Sequence, residues 1–206
     1  MIKAEFSKTD PTGSWGISGA KLMLLDEAGK TVESWTSTGK THQIEKLPVG
    51  SYILHEKQAP KGYLLAEDLK CEVKDIGETQ VVTMKDSRPV GRLVIKCTDS
   101  NSKQALAGVT FVLREKKSGK EVGTLVTDAT GTAKSKALPT AVYEDGIYVE
   151  DLEYVLKKTK MPNGYGVDEK EISVVFPYKD SQTKEIIVTK ELTSIEGSES
   201  EKQHAT

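Results

Sequence analysis

The segment Tyr52-Ile-Leu-His-Glu-Lys-Gln-Ala-Pro-Lys-Gly-Tyr63 recurs without a gap as Tyr154-Val-Leu-Lys-Lys-Thr-Lys-Met-Pro-Asn-Gly-Tyr165. A second pair of motifs lies upstream of these segments, since the Thr-Asp pair at 9–10 precedes the Gly at 19 by the same distance that separates the pair at 98–99 from the Gly at 108. Internal repeats of this kind indicate stacked or tandem copies of one structural unit. The sequence therefore predicts a duplicated domain.

The pattern around these segments is typical of β-structure. Short alternating runs, bounded by Gly, Pro, Asn and Asp, occur throughout, and helical periodicity is nearly absent. We predict an all-β fold of two tandem β-sandwich domains. The predicted strands of the first copy are residues 2–8, 20–25, 51–56, 69–73 and 80–85. Those of the second copy are residues 92–97, 110–114, 121–126, 154–158, 172–177 and 185–189.

The boundary between the copies is predicted near Ser87-Arg88-Pro89, because proline cannot donate to a strand ladder and biases its predecessor toward extended conformations. The first domain is then residues 1–88 and the second is residues 89–194. Residues 195–206 are rich in Ser, Glu and Gly with few apolar side chains, so we expect a disordered tail.

The charge balance and the apolar runs exclude several kinds of partner. The chain has 29 Lys and Arg against 31 Asp and Glu, a formal charge of −2 with both signs interspersed, which favours neither nucleic acid nor a membrane surface. No apolar run approaches the roughly 20 residues of a membrane-spanning helix. We find no secretion signal after Met1 and expect that any signal belongs to other parts of a parent protein. The cysteines and histidines lack metal-ligand spacing, so we predict no metal and no cofactor.

Five motifs extend across the first domain: Phe6-Ser-Lys-Thr-Asp10, Gly19-Ala20, Tyr52-x-Leu-x-Glu56, Ala59-Pro60-x-Gly-Tyr63 and Val82-Thr-Met-Lys-Asp86. With these motifs the domain resembles the B-type repeat domains of collagen-binding adhesins and pilins of Gram-positive bacteria. The resemblance implies immunoglobulin-like, prealbumin-like sandwiches at the cell surface. It also implies an internal isopeptide bond, formed without a helper enzyme, between a lysine of the first strand and an Asn or Asp of the last strand, assisted by a glutamate.

Carried onto this sequence, the resemblance assigns the lysine to Lys8, the acceptor to Asp86 and the assisting acid to Glu56. Strand alternation independently places each of them at the end of an inward apolar stripe. Burial disfavours the charged forms of amines and carboxyls, so we predict that the neutral amine of Lys8 attacks the carboxyl carbon of Asp86 while Glu56 transfers protons. The alternative is that the three groups are solvated or form an ordinary salt bridge.

The second copy departs from this pattern at each position. Cys97 stands in the lysine position, Lys158 replaces the glutamate, and the acceptor position falls at Glu191 or Leu192. We predict no isopeptide bond of the usual kind there. An atypical bond from Lys96 or Lys158 to Glu191 is the alternative, although Lys96 has outward parity. The thiol of Cys97 is interpreted as a small packed core group.

These observations favour a structural stalk segment of a Gram-positive adhesin or pilin-like protein, which is no enzyme beyond its own single crosslinking event. We expect an extracellular location, cell-wall anchoring through other parts of a parent protein, and neighbouring domains of that protein as partners. The alternative is a host-ligand or carbohydrate-binding module, in which residues 138–151 or a sheet face binds a host matrix protein or glycan. A hydrolase is disfavoured, because no His, Asp and nucleophile arrangement can be assembled.

Overall fold

Strands make up most of the described chain in the computed structural model, which confirms the all-β prediction. The structure describes residues 2–166, 168–176 and 184–195. These residues form two compact units. The first contains residues 2–89 and 141–150, and the second contains the remainder. Residues 196–206 of the predicted tail lie outside the described residues. Within the described ranges no helix has the length and apolar character needed to cross a bilayer.

The first unit packs a three-stranded sheet and a four-stranded sheet around one core. Its strands are β1 (Ile2–Thr9), β2 (Ser18–Asp26), β3 (Thr31–Thr38), β4 (His42–Leu47), β5 (Gly50–Gln58), β6 (Leu69–Val73) and β7 (Gln80–Lys85). The sheet orders are β4-β1-β7 and β3-β2-β5-β6. The first and last strands, β1 and β7, are parallel neighbours, with Lys8 opposite Met84.

The second unit repeats this arrangement. Its strands are β8 (Val90–Asp99), β9 (Thr110–Glu115), β10 (Glu121–Val126), β11 (Thr132–Lys134), β12 (Leu138–Pro139), β15 (Glu153–Lys160), β16 (Ile172–Val175) and β17 (Lys184–Leu192). One sheet has the order β10-β9-β15-β16, and the other places β8 beside β11, β12 and a parallel β17. The two-sandwich prediction is therefore confirmed.

Alternating side chains supply each core. In β1 every second residue is buried, from Ile2 through Ala4 and Phe6 to Lys8, as a strand with one covered face requires. The core of the second unit has the same origin and is centred on Phe111, Tyr154 and Leu156.

A hairpin within the second repeat sequence belongs to the first unit. Its strands are β13 (Ala141–Glu144) and β14 (Ile147–Asp151). The hairpin is an insertion relative to the first repeat, as one hydrogen bond that occurs in both repeats shows. The Tyr52 hydroxyl donates to the carbonyl of Pro48, four residues earlier. The equivalent hydroxyl of Tyr154 donates to the carbonyl of Pro139, fifteen residues earlier. The difference, 15 − 4 = 11 residues, accounts for the hairpin. We call residues 141–150 the hairpin below.

Candidate functional site

The three side chains singled out in the first repeat lie at one place in its core. Lys8 is the last inward residue of β1 before its end, and Asp86 follows β7, which is paired to β1. Met84 lies opposite Lys8. Side chains alternate between the two faces of a strand, so Asp86, two residues beyond Met84, projects to the same face as Met84. The amide of Asp86 donates to the carbonyl of Thr9 at 3.0 Å, which fixes its backbone. Glu56 points inward from β5, in the other sheet.

The contacts within this group are close. Nζ of Lys8 donates to Oδ1 of Asp86 and lies 3.0 Å from Oε1 of Glu56. The exposed fractions of Lys8, Glu56 and Asp86 are 4%, 1% and 1%. A third contact orients the glutamate, since its Oε2 accepts the backbone N–H of Ala66 at 2.6 Å. An amine and two carboxyls are thus held together without water access.

Burial dominates the electrostatics of the acceptor. It raises the pKa of Asp86 to about 7; the hydrogen bond and charge of Lys8 act in the opposite direction, and the Glu56 charge adds to the increase. Oδ2 of Asp86 is buried without a hydrogen-bond partner among the described residues. Oε1 of Glu56 forms an ion pair with Nζ of Lys8, but the angles of this contact are not those of a hydrogen bond. A buried oxygen left unpaired is costly, so this group is under-satisfied as three separate side chains.

The corresponding positions of the second unit hold a different set of side chains. Cys97 is buried, and burial raises the pKa of its thiol to about 11. Lys158 is also buried, and its Nζ donates to Oδ2 of the half-exposed Asp168 at 2.8 Å. Cys97 is opposite Lys190 in β17, so the residue equivalent to Asp86 is the buried Leu192.

Glu191, the other candidate for the acceptor position, points outward. Its carboxylate is about half exposed and accepts Nζ of Lys103 at 2.8 Å. Lys96 is exposed as well, as its parity predicted. Among the described residues the Glu191 carboxylate pairs with Lys103 and not with Lys96, which shares its outer face, or with Lys158, which is buried on the inner side. The acceptor position is therefore Leu192, an apolar side chain.

Sequence reasoning missed the groups that surround the first site. Arg88, which the sequence suggested only as the end of the first domain, lies with its Nη2 3.5 Å from Oδ2 of the buried Asp10. Tyr143 of the hairpin stacks on that arginine, with 4.2 Å between Cζ and the ring centroid. The repeated Thr-Asp motif was a signal for Asp10. Tyr143 lies in the segment 138–151 that the sequence singled out, but no signal pointed to its contact with Arg88, because that contact depends on where the hairpin packs.

The comparisons with known proteins agree with this architecture. The family model described as "SpaA: Prealbumin-like fold domain" matches residues 2–88 and again residues 91–192. The chain therefore belongs to this family of prealbumin-like domains.

Two relatives have far longer chains. The chain is 30% identical over 173 residues to the serine-aspartate repeat-containing protein F of Staphylococcus epidermidis, which covers 73% of this chain and 9% of that protein. It is also similar to the solved Bacillus anthracis TIE protein, with a TM-score of 0.68 and 26% identity over 94% of this chain and 34% of that one. The chain thus spans a minor part of both.

A third match is the C-terminal fragment of the pilus adhesin SpaC from Lactobacillus rhamnosus GG. Its TM-score is 0.47 and its identity 16%, over 95% of this chain and 99% of that fragment.

Proposed function

We propose that this chain is a load-bearing segment of a Gram-positive surface adhesin or pilin-like protein, and that an isopeptide bond between Lys8 and Asp86 closes its first unit. The observation that carries the proposal is the dry contact of Lys8 with Asp86, with Glu56 3.0 Å from the same amine. Membership of the prealbumin-like family and the match to a serine-aspartate repeat-containing protein of Staphylococcus epidermidis support the cell-surface setting. The segment has no separate substrate and is no enzyme in that sense.

The chemistry is a condensation within one protein chain. A proton passes from the Lys8 ammonium to the Asp86 carboxylate through Glu56, which leaves a neutral amine and a neutral acid. The raised pKa of Asp86, about 7, favours that neutral acid. The Lys8 nitrogen then attacks the carboxyl carbon, the C–N bond forms and one C–O bond breaks. The oxygen departs as water with two hydrogens from the original ammonium, so atoms and charge balance.

Each polar group has a function in this scheme. Glu56, oriented by the N–H of Ala66, polarises the Asp86 oxygen and returns the proton to the leaving group. Amide formation removes one carboxyl oxygen from a core that leaves Oδ2 of Asp86 unpaired. It also replaces two buried ionisable groups with a neutral amide, which lowers the desolvation cost.

The bond would carry force past the strands. It joins two residues that are 78 positions apart in the chain, at the adjacent ends of the first and last strands. Tension would then pass through a covalent link rather than through the β1–β7 hydrogen bonds. Closing such a loop contributes about 4.5 kcal/mol if the chain-entropy account of disulfides applies to it.

Intact mass under denaturing conditions tests the proposal. We expect the purified chain to weigh one water less than the sequence requires, and Lys8→Ala to have its full calculated mass. Peptide mapping should then recover a branched fragment joining the segments of Lys8 and Asp86. A wild-type chain of full mass would refute the crosslink.

The proposed partners are neighbouring domains of a longer surface protein, with anchoring to the cell wall through other parts of it. Binding of a host matrix protein or glycan by residues 138–151 or by a sheet face stays a prediction. Matrix-protein and glycan arrays with the folded chain test it, and binding lost on substitution of Ile147, which is 65% exposed on the hairpin, would support it.

A further inference from the structure

The residues just beyond the two reacting side chains are themselves paired. Asp10 follows Lys8 by two residues, and Arg88 follows Asp86 by two residues. Nη2 of Arg88 lies 3.5 Å from Oδ2 of Asp10. Asp10 is fully buried, and its other oxygen, Oδ1, accepts the backbone N–H of Trp15. This ion pair connects the segment that follows Lys8 with the segment that follows Asp86, so it restrains the distance between the two reacting side chains.

The hairpin holds the arginine of this pair. The guanidinium lies over the ring of Tyr143 at 4.2 Å, a cation–π geometry. The phenol of Tyr143 donates to the carbonyl of Gly62. In return, the buried hydroxyl of Tyr63 donates to the carbonyl of Gly146 at 2.5 Å. Two hydrogen bonds in opposite directions therefore dock the hairpin beside Arg88.

The second unit provides an internal comparison. Its register equates Leu192 with Asp86, so Ser194 takes the position of Arg88. There the hydroxyl of Tyr165 donates directly to Oδ2 of Asp99 at 2.6 Å, whereas the matching Tyr63 is turned to the hairpin. The repeat without a lysine and aspartate pair thus also lacks the arginine.

We propose that Arg88 is a positioning residue: held between Asp10 and the Tyr143 ring, it fixes the strand end that presents Asp86 to Lys8. The hairpin, although encoded within the second repeat, thereby assists bond formation in the first unit. This inference rests on the function proposed above. Reactions between positioned groups lose roughly 100-fold in rate for misplacements of about 1 Å, and positioning depends on the residues that support the reacting groups.

The test measures how fast the full 206-residue chain loses water after synthesis. A short pulse of cell-free translation is followed by a chase, and denatured aliquots give the fraction of chains lighter by one water at each time. The variants are Arg88→Met, Arg88→Lys, Tyr143→Leu and Tyr143→Phe. The matched control is Lys61→Met, which removes another cation over a hairpin ring, since Nζ of Lys61 lies 4.8 Å from the Tyr148 centroid, without changing the Asp10 pair.

We expect Arg88→Met and Tyr143→Leu to slow the reaction about ten- to hundredfold. Arg88→Lys should recover part of the rate, because its ammonium still faces Asp10. Tyr143→Phe keeps the ring and should react faster than Tyr143→Leu, and Lys61→Met should match the wild type. Final mass should still reach the crosslinked value in each variant.

Three results would overturn the inference. They are an Arg88→Met rate equal to the wild type, a Lys61→Met rate as slow as Arg88→Met, and equal rates for Tyr143→Phe and Tyr143→Leu. If Arg88→Met does not fold, the comparison of the Tyr143→Phe and Tyr143→Leu rates decides whether the inference holds. A wild-type chain that never loses water refutes the proposed function instead, so the two failures are distinguishable.

Discussion

Glu56 is the residue on which the proposed chemistry depends most directly. It touches the amine with one oxygen and the Ala66 N–H with the other, and it is 1% exposed. A buried carboxyl so restrained can both accept and return a proton, whereas an amide of the same shape can do neither.

Replacing Glu56 by Gln should therefore leave the fold intact and abolish the crosslink. The Gln carbonyl still accepts the Ala66 N–H. We expect the full calculated mass, and a free energy of unfolding for the first unit lower by about 4.5 kcal/mol than that of the crosslinked chain. Intact mass and urea unfolding measure the two effects. Glu45→Gln, on the exposed face of β4, is the control and should behave as the wild type. Loss of water by Glu56→Gln would contradict the assigned role.

We expect the carboxylate of Asp99 to make the second unit sensitive to acid. Its carboxylate accepts the Tyr165 hydroxyl at 2.6 Å and the N–H groups of Asn101 and Ser102 at 2.8 Å each. These bonds, first of all that from Tyr165, lower the pKa of Asp99 to about 2. Because the folded-state pKa lies below the ordinary value, the stabilisation is complete at pH values above about 4 and is lost as the pH falls toward 2.

We accordingly expect the urea midpoint of the second unit to decrease between about pH 4 and pH 2. NMR signals of β8 report that unit specifically. Tyr165→Phe removes the largest cause of the lowered pKa, so its midpoint should depend less steeply on pH over the same interval. An unchanged slope would show that other carboxyls govern acid unfolding.

Register is the element-scale property that decides which side chains occupy the three core positions in each repeat. In both units the first and last strands are parallel neighbours. The acceptor position lies two residues beyond the last-strand residue that pairs with Lys8 or with Cys97, and its side chain enters the core. The second unit has the same frame with Cys97, Lys158 and Leu192 at the three positions. The crosslink that we predict to be absent from the second unit would thus be excluded by three side chains and not by the backbone.

Grafting the first site onto the second unit tests this register. The substitutions are Cys97→Lys, Lys158→Glu and Leu192→Asp, with Asp168→Ala to remove the carboxylate 2.8 Å from the amine of Lys158. We expect intact mass to show the loss of one further water. The matched control carries Glu191→Asp in place of Leu192→Asp and should lose none, since that side chain projects outward. A crosslink in the control alone would show that the register is different.

The sequence was a good guide to the elements with regular alternation and a poor one elsewhere. The core strands β1, β5 and β7 were predicted from period-2 burial, and the repeat supplied their counterparts. β4 was missed because its buried residues Ile44 and Leu47 are three apart. Lys46 adopts a positive φ of 61° there, and the pairing with β1 shifts register. A bulge of this kind breaks the alternation that reveals a strand.

The residues of the candidate site also fall into a group that the sequence could place and a group that it could not. Lys8, Glu56 and Asp86 end inward apolar stripes, so parity could place them. The sequence singled out residues 138–151, but the contact of Tyr143 with Arg88 could not be predicted, because it joins segments that no local pattern relates. The position equivalent to Asp86 was uncertain between Glu191 and Leu192 for a similar reason, since the chain is longer in the second repeat and only the strand pairing fixes it.

At the scale of the whole molecule, the two units should respond differently to tension. If Lys8 and Asp86 are joined, the chain between them cannot extend, whereas the second unit has no such link by our proposal. Single-molecule stretching of the full chain should therefore show one unfolding event. Glu56→Gln should show a second event with about 270 Å of added contour length, from the 78 residue positions that separate Lys8 and Asp86 at about 3.5 Å each. Two events in the wild-type chain would contradict the mechanical function.

The chain order of the hairpin has a consequence for biosynthesis. The first unit contains the chain up to residue 89 and the hairpin at residues 141–150, so 140 − 89 = 51 further residues must be translated before the hairpin begins. At about 5–20 residues per second this delay is roughly 3–10 s. A nascent first unit would spend that interval folded without Tyr143. The ribosome, rather than any helper protein, would then set the earliest moment at which its crosslink closes at full speed.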